Sequence, residues 1–116
     1  MPRKPIGEIS FAQVYPMYLA KIERKDRTEA ELIDVIGWLT GYDAAGLRRQ
    51  VERDANFERF FADAPAYNPM AGAITGVICG YRVEEIEDPL TRKVRQLDKI
   101  VDELAKGKPL AKIKRK

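Results

Sequence analysis

One apolar stripe sets the terms for this chain. Between Asp88-Pro89 and Gly107, the residues Leu90, Val94, Leu97, Val101 and Leu104 recur at spacings of 4, 3, 4 and 3, with Ile100 thickening the row. Residues so spaced share one face only in an α-helix, and a helix with an apolar face has to bury it against other elements. Asp88 is a ready N-cap, Pro89 suits the first helical position, and Gly107 with Pro109 stops the run. The spacing predicts a long helix over 89–106. With 116 residues in the chain, there is room for one core around it and not for a second.

The same punctuation recurs upstream. Ser10 with Gln13 gives a capping pattern ahead of Phe11, Val14, Tyr15, Tyr18, Leu19 and Ile22, which share a helical face. Pro16 inside that helix predicts a kink or a restart. Thr28 and Glu31 form a second capping box for a helix over 28–40, whose inward stripe of Leu32, Val35, Ile36 and Leu39 ends at Gly41. Asp43 caps a shorter helix with Leu47 and Val51, and after Asp54 to Asn56 a fourth carries Phe57, Phe60, Phe61 and Ala64 up to Pro65. Asn68-Pro69 predicts a fifth helix through Ile74, Val77 and Ile78, stopped by Gly80, before an extended crossing at Tyr81 to Val83. A last turn is expected around Leu110 and Ile113. No segment alternates as a half-buried strand does, so the predicted fold is all-α, a compact irregular or orthogonal bundle of five to seven helices with no significant sheet. Residues 1–9, with two prolines and a glycine, read as a flexible arm, 10–113 as a single helical domain, and 106–116 as a basic tail overlapping its last turn.

Chemistry is narrowed by what is missing. The chain has no histidine, which removes imidazole-based metal sites and Ser-His or Cys-His catalysis. Its one cysteine, Cys79, cannot form an internal disulfide and reads as a small buried apolar residue, so a reducing cytoplasm is the expected location. No apolar run reaches membrane-spanning or signal-peptide length. The net charge of +3 hides an asymmetry. Lys106, Lys108, Lys112, Lys114, Arg115 and Lys116 meet no acidic residue in the tail, and the preceding 105 residues carry 15 basic and 18 acidic side chains. The tail is therefore basic and the body mildly acidic.

Several constellations are candidates for function, each with a plain structural alternative. Gly72, Gly76 and Gly80 fall four apart, and on one helical face they would let a neighbouring helix or a second copy approach; Gly72 and Gly76 together with Leu97 and Val101 are the expected association surface, unless they are core. Tyr15, Tyr18, Trp38 and Tyr42 suggest a pocket between the first two helices. Arg48, Arg49 and Arg53 lie on a helix that follows a helix and a Gly-Tyr turn, the outline of a helix-turn-helix, and with the tail they are candidate nucleic-acid contacts, although Glu52 and Asp54 interrupt that face. Glu84, Glu87 and Asp88 are candidate ligands of a divalent cation, or simply the acidic N-terminus of the long helix. No phosphate-loop spacing is present, no cofactor is implied, and no catalytic constellation is legible. The reading that follows is a protein-interaction or regulatory module with a protein partner or a second copy, with nucleic-acid binding and a cation-dependent enzyme as alternatives.

Five strings carry a resemblance: Ser10-Phe11-Ala12-Gln13-Val14-Tyr15-Pro16-Met17-Tyr18, Glu23-Arg24-Lys25-Asp26-Arg27-Thr28, Trp38-Leu39-Thr40-Gly41-Tyr42-Asp43, Ile74-Thr75-Gly76-Val77-Ile78-Cys79-Gly80 and Glu87-Asp88-Pro89-Leu90. Taken in order, from about Ser10 to Ile113, they resemble the bacterial family catalogued as domain of unknown function 2200 (DUF2200). The resemblance implies a small, stand-alone, all-helical cytoplasmic protein. It implies no activity and no site residues.

Overall fold

The computed structural model describes residues 6–78 and 80–114. In them the helices α1 (Phe11–Glu23), α2 (Glu29–Thr40), α3 (Ala44–Glu52) and α4 (Phe57–Ala62) precede a two-residue hairpin, β1 (Val77–Ile78) and β2 (Tyr81–Arg82), and α5 (Pro89–Ala105) and α6 (Leu110–Ile113) follow it. The fold is mostly α, with a single small sheet among the described residues.

Each long helix starts where its cap puts it. The Ser10 hydroxyl accepts the Gln13 N–H at 3.1 Å, and the Asp88 carboxylate accepts the Thr91 N–H at 2.9 Å. Thr28 and Glu31 close the full box, the Thr28 hydroxyl accepting from the Glu31 N–H and the Glu31 carboxylate from the Thr28 N–H. These bonds satisfy backbone donors that the first helical turn leaves open. α1 runs unbroken through Pro16, so the expected restart does not occur. Pro16 lies on the exposed side, while Phe11, Tyr18 and Ile22 are buried on both sides of it and hold the helix across the lost hydrogen bond.

α5 supplies the floor of the core. Leu97, Ile100 and Leu104 are fully buried, and the helix touches α1, α2, α4, α6 and the hairpin. Above it sits an aromatic group in which Phe11 stacks on Phe60 with ring centroids 4.0 Å apart, and Tyr42, Phe57 and Phe61 pack around that pair. The Tyr42 hydroxyl donates to the Phe60 carbonyl at 2.7 Å, which satisfies its polar tip inside the core.

Two expectations are corrected. Residues 6–9 are not a loose arm: Ile6–Glu8 form a 3-10 turn with Gly7 buried, and the Ile9 carbonyl accepts the Phe57 N–H at 2.9 Å. A side chain at Gly7 would meet Leu90 Cδ2 at 2.7 Å, so glycine lets this turn lie against α5. The predicted fifth helix is absent. Asn68 caps a short 3-10 turn, Pro69–Ala73, after which Ile74 is extended. Gly76 (φ 108°) and Gly80 (φ 83°) then take conformations that other residues rarely adopt, turning the chain into the hairpin with Val77 opposite Arg82 and Ile78 opposite Tyr81. The β-branched run Ile74, Thr75, Val77, Ile78 suits extended backbone better than helix. The last turn expected around Leu110 and Ile113 is present as α6. α6 buries Ile113 completely, and Lys106, Lys108 and Lys114 pair with Asp102, Glu103 and Asp34. Arg115 and Lys116 lie outside the described residues. Among the described residues no helix is long and apolar enough to cross a membrane.

Two left-handed helix stops give a test of this packing. Gly41 (φ 84°) would place a Cβ 2.7 Å from the Ala66 backbone nitrogen, whereas Gly107 (φ 86°) has open space there. The left-handed conformation costs any L-residue about 1–2 kcal/mol. Denaturant unfolding of Gly107→Ala is expected to show about that loss, and of Gly41→Ala clearly more; equal losses would contradict the close approach of the 66 backbone to the α2 stop.

Candidate functional site

α3 is short, and its two sides face different clefts. Arg48 points toward α1 and α2, and Arg49 with Arg53 toward α4. The helix is set by the Asp43 cap, whose carboxylate accepts the Gly46 N–H at 2.7 Å, and by Leu47, which is buried. Arg53 follows its last turn, and Asp54 takes a left-handed backbone (φ 51°) that returns the chain toward α4.

The larger cleft, about 760 Å³, lies between α3 and α4. Arg49 and Arg53 line one wall and Arg59 of α4 another, with Asp43 and Asp63 at its margin. Arg53 and Arg59 also border an adjoining depression over Asp54 to Asn56. The ion pairs of the described residues involve none of the three arginines. Of the two carboxylates, Asp43 is committed to its helix cap. Gln50 completes the lining: it is 4% exposed, yet its Oε1 is buried without a hydrogen-bond partner. Beneath the cleft the Tyr42 hydroxyl is pushed up to about 12 by burial and by Asp63, with Arg53 acting against the rise.

The smaller cleft, about 230 Å³, is where α1, α2 and α3 meet. Tyr15 donates to the Glu29 carboxylate at 2.9 Å, and Arg48 stands on the same rim above Ile33, Leu47 and Val51. Burial, then the Glu29 carboxylate, raises the Tyr15 pKa, so the hydroxyl stays protonated as a donor. A third cleft of about 660 Å³ separates the hairpin from the start of α5 and is lined by Tyr81, Arg82, Glu85, Ile86 and Arg95. There the Arg95 guanidinium sits 5.4 Å from the Tyr81 ring centroid and bonds Asp98 at 3.1 Å, while Asp98 also accepts the Tyr18 hydroxyl.

The remaining candidates fall as follows. Gly72, Gly76 and Gly80 share no helix; a side chain at Gly72 or Gly80 would meet nothing within 4 Å, and Gly76 lies beside the Lys99 side chain. Leu97 and Val101 are 0% and 1% exposed, committed to the core and not to a surface. The four aromatic residues do not build one pocket. Tyr15 lines the small cleft and Tyr42 the large one, Tyr18 turns to Asp98, and Trp38 packs partly buried on the core with its carbonyl accepting from Asn68. Glu84 accepts the Gly76 N–H and Asp88 caps α5, and both hydrogen-bonding roles hold these carboxyls below their usual pKa range. Among the described residues no group of three or more His, Cys, Asp or Glu side chains is arranged to hold a metal ion. Cys79 lies outside the described residues. Arg59, Gln50 and Glu29 were not among the expected site residues. Gln50 had a signal, because a glutamine between Leu47 and Val51 interrupts the buried stripe of α3.

The family profile described as "Uncharacterized protein conserved in bacteria (DUF2200)" matches residues 5–115. The chain belongs to the DUF2200 family. The strings from Ser10 to Leu90 that carried the resemblance all lie inside the matched span. The crystal structure of uncharacterized protein SP1917 is similar to this family member at 44% identity and a TM-score of 0.86, over 93% of this chain and 88% of that one. Comparison with curated proteins finds no match. These relations give the DUF2200 fold and leave its chemistry to the clefts.

Proposed function

We propose that the protein is a binding module for anionic ligands and that the α3–α4 cleft is its site. The observation that carries this reading is the meeting of Arg49, Arg53 and Arg59 around one cleft, with no ion pair to a carboxylate among the described residues. Guanidinium groups present planar pairs of donors that match phosphate and carboxylate oxygens, and they bind them bidentately. Unpaired guanidiniums beside a cleft of ligand-sized volume leave that capacity unused by the fold. The site keeps Arg49 and Arg53 of the helix-turn-helix reading, replaces Arg48 by Arg59, and does not depend on the tail, whose Lys106, Lys108 and Lys114 are already paired.

Calorimetric titration with inorganic pyrophosphate tests it. The expected result is saturable binding that weakens with added salt and falls about tenfold or more in Arg53→Met and Arg59→Met. Affinity unchanged in both variants would sink the reading. A duplex DNA titration run alongside separates a nucleic-acid backbone from a small anion as the source of the phosphate.

A second reading, self-association, is supported by the hairpin. Val77 and Tyr81 are 54% and 56% exposed, and because Val77 pairs with Arg82 and Ile78 with Tyr81, they stand on opposite faces of a two-stranded sheet. A sheet of two strands carries open edges, which a second copy pairs with antiparallel under two-fold symmetry. Sedimentation at increasing concentration is expected to show a dimer in the parent chain and a monomer in Val77→Asp; identical behaviour of the two would exclude this surface.

A further inference from the structure

We propose that the small cleft where α1, α2 and α3 meet is a separate site for a free amino acid with an aliphatic side chain. The cleft has two opposite charges on one rim and an apolar floor. Glu29 uses its Oε2 to accept the Tyr15 hydroxyl, and its Oε1 has no partner among the described residues. Arg48 lies near enough to that hydroxyl to oppose the rise in its pKa, yet no ion pair joins Arg48 to Glu29. Two opposite charges that flank one hydroxyl without closing on each other leave a gap in which a third group can bridge them. A zwitterion does so with its ammonium on the carboxylate and its carboxylate on the guanidinium fork.

The floor selects what lies beyond the zwitterion. Ile33, Leu47 and Val51 form it, Ala44 narrows it, and the volume of about 230 Å³ is below the usual range for drug-sized ligands. A single aliphatic side chain is the right scale for such a space, and its burial against three branched residues adds to the polar contacts. Tyr15 fixes the geometry: its protonated hydroxyl locks the Glu29 carboxylate against α1, so the free oxygen is held in place before a ligand arrives. A peptide is disfavoured, because an amino acid inside a chain lacks the adjacent ammonium and carboxylate. The site shares only α3 with the anion cleft, and Arg48 faces away from Arg49 and Arg53, so either can fail without the other.

Amide NMR titrations of the full chain with L-leucine, leucinamide and N-acetyl-leucine test the proposal. L-leucine is expected to shift the signals of Ala44, Leu47 and Ile33 saturably, and leucinamide and N-acetyl-leucine, each lacking one charge, to bind about tenfold more weakly or worse. Glu29→Gln, which keeps an acceptor for Tyr15, and Arg48→Met are each expected to remove the preference for the zwitterion while the rest of the spectrum stays that of the folded protein. Absence of saturable L-leucine binding, equal binding of the three compounds, or binding unaffected in both variants would overturn it.

Discussion

The structure turns on one short antiparallel bridge between Ser10 and Asn56. The Phe11 N–H donates to the Ala55 carbonyl at 2.8 Å and the Phe57 N–H to the Ile9 carbonyl at 2.9 Å, tying the start of the chain to the connection between α3 and α4. The two bridged residues are also helix caps. Ser10 accepts from Gln13 to begin α1, and Asn56 accepts from Arg59 to begin α4. Two helices therefore leave one point with fixed directions, and their first residues, Phe11 and Phe57, meet edge to face with centroids 6.1 Å apart. The Ser10 hydroxyl donates to the Asp54 carboxylate at 2.6 Å, which holds the left-handed residue just before the bridge. Loss of this link would free α4 from α3 and undo the stack of Phe11 on Phe60 in the core.

That link also makes the larger cleft. Arg49 and Arg53 belong to the helix before the bridge and Arg59 to the helix after it, so their positions around one space follow from the turn at Asp54 to Asn56. A like-charge cluster is unfavourable by itself, and here it rests on elements fixed by caps and aromatic packing. The molecule spends its acidic groups elsewhere: Asp102 takes Lys21 and Lys106, Glu103 takes Lys108, and Asp34 takes Lys114. Burial works against ionisation of Asp102, yet hydrogen bonds and attraction from Lys106 and Lys21 win and hold its pKa below the usual carboxylate range. Lys106, Lys108 and Lys114 are thus neutralised against the body, while Arg49, Arg53 and Arg59 have no ion pair among the described residues.

α2, α3 and α5 were legible because a cap and the apolar period agreed and the chain follows both. Thr28 with Glu31, Asp43 and Asp88 all mark observed starts, and the stripe from Leu90 to Leu104 is the buried face of α5. The segment from Asn68 to Gly80 was misread because apolar residues at 74, 77 and 78 fit a helical face as well as a hairpin, and the glycines at 72, 76 and 80 kept the helical period. Positive φ at Gly76 and Gly80 decided it, and backbone sign leaves no periodic trace. Site residues were harder to read than elements. Arg48 and Arg49 are neighbours in sequence but sit in different clefts, and Arg59 joins Arg53 only through the bridge, a tertiary contact that no local spacing encodes.

The central claim is that the α3–α4 cleft binds anions through its own unpaired donors, and side-chain NMR tests it most directly. With the arginine Nε signals assigned, pyrophosphate is added to the full chain. The account predicts that the signals of Arg49, Arg53 and Arg59 move together along one saturation curve. Movement confined to lysines of the C-terminal segment, with those three signals unchanged, would contradict it.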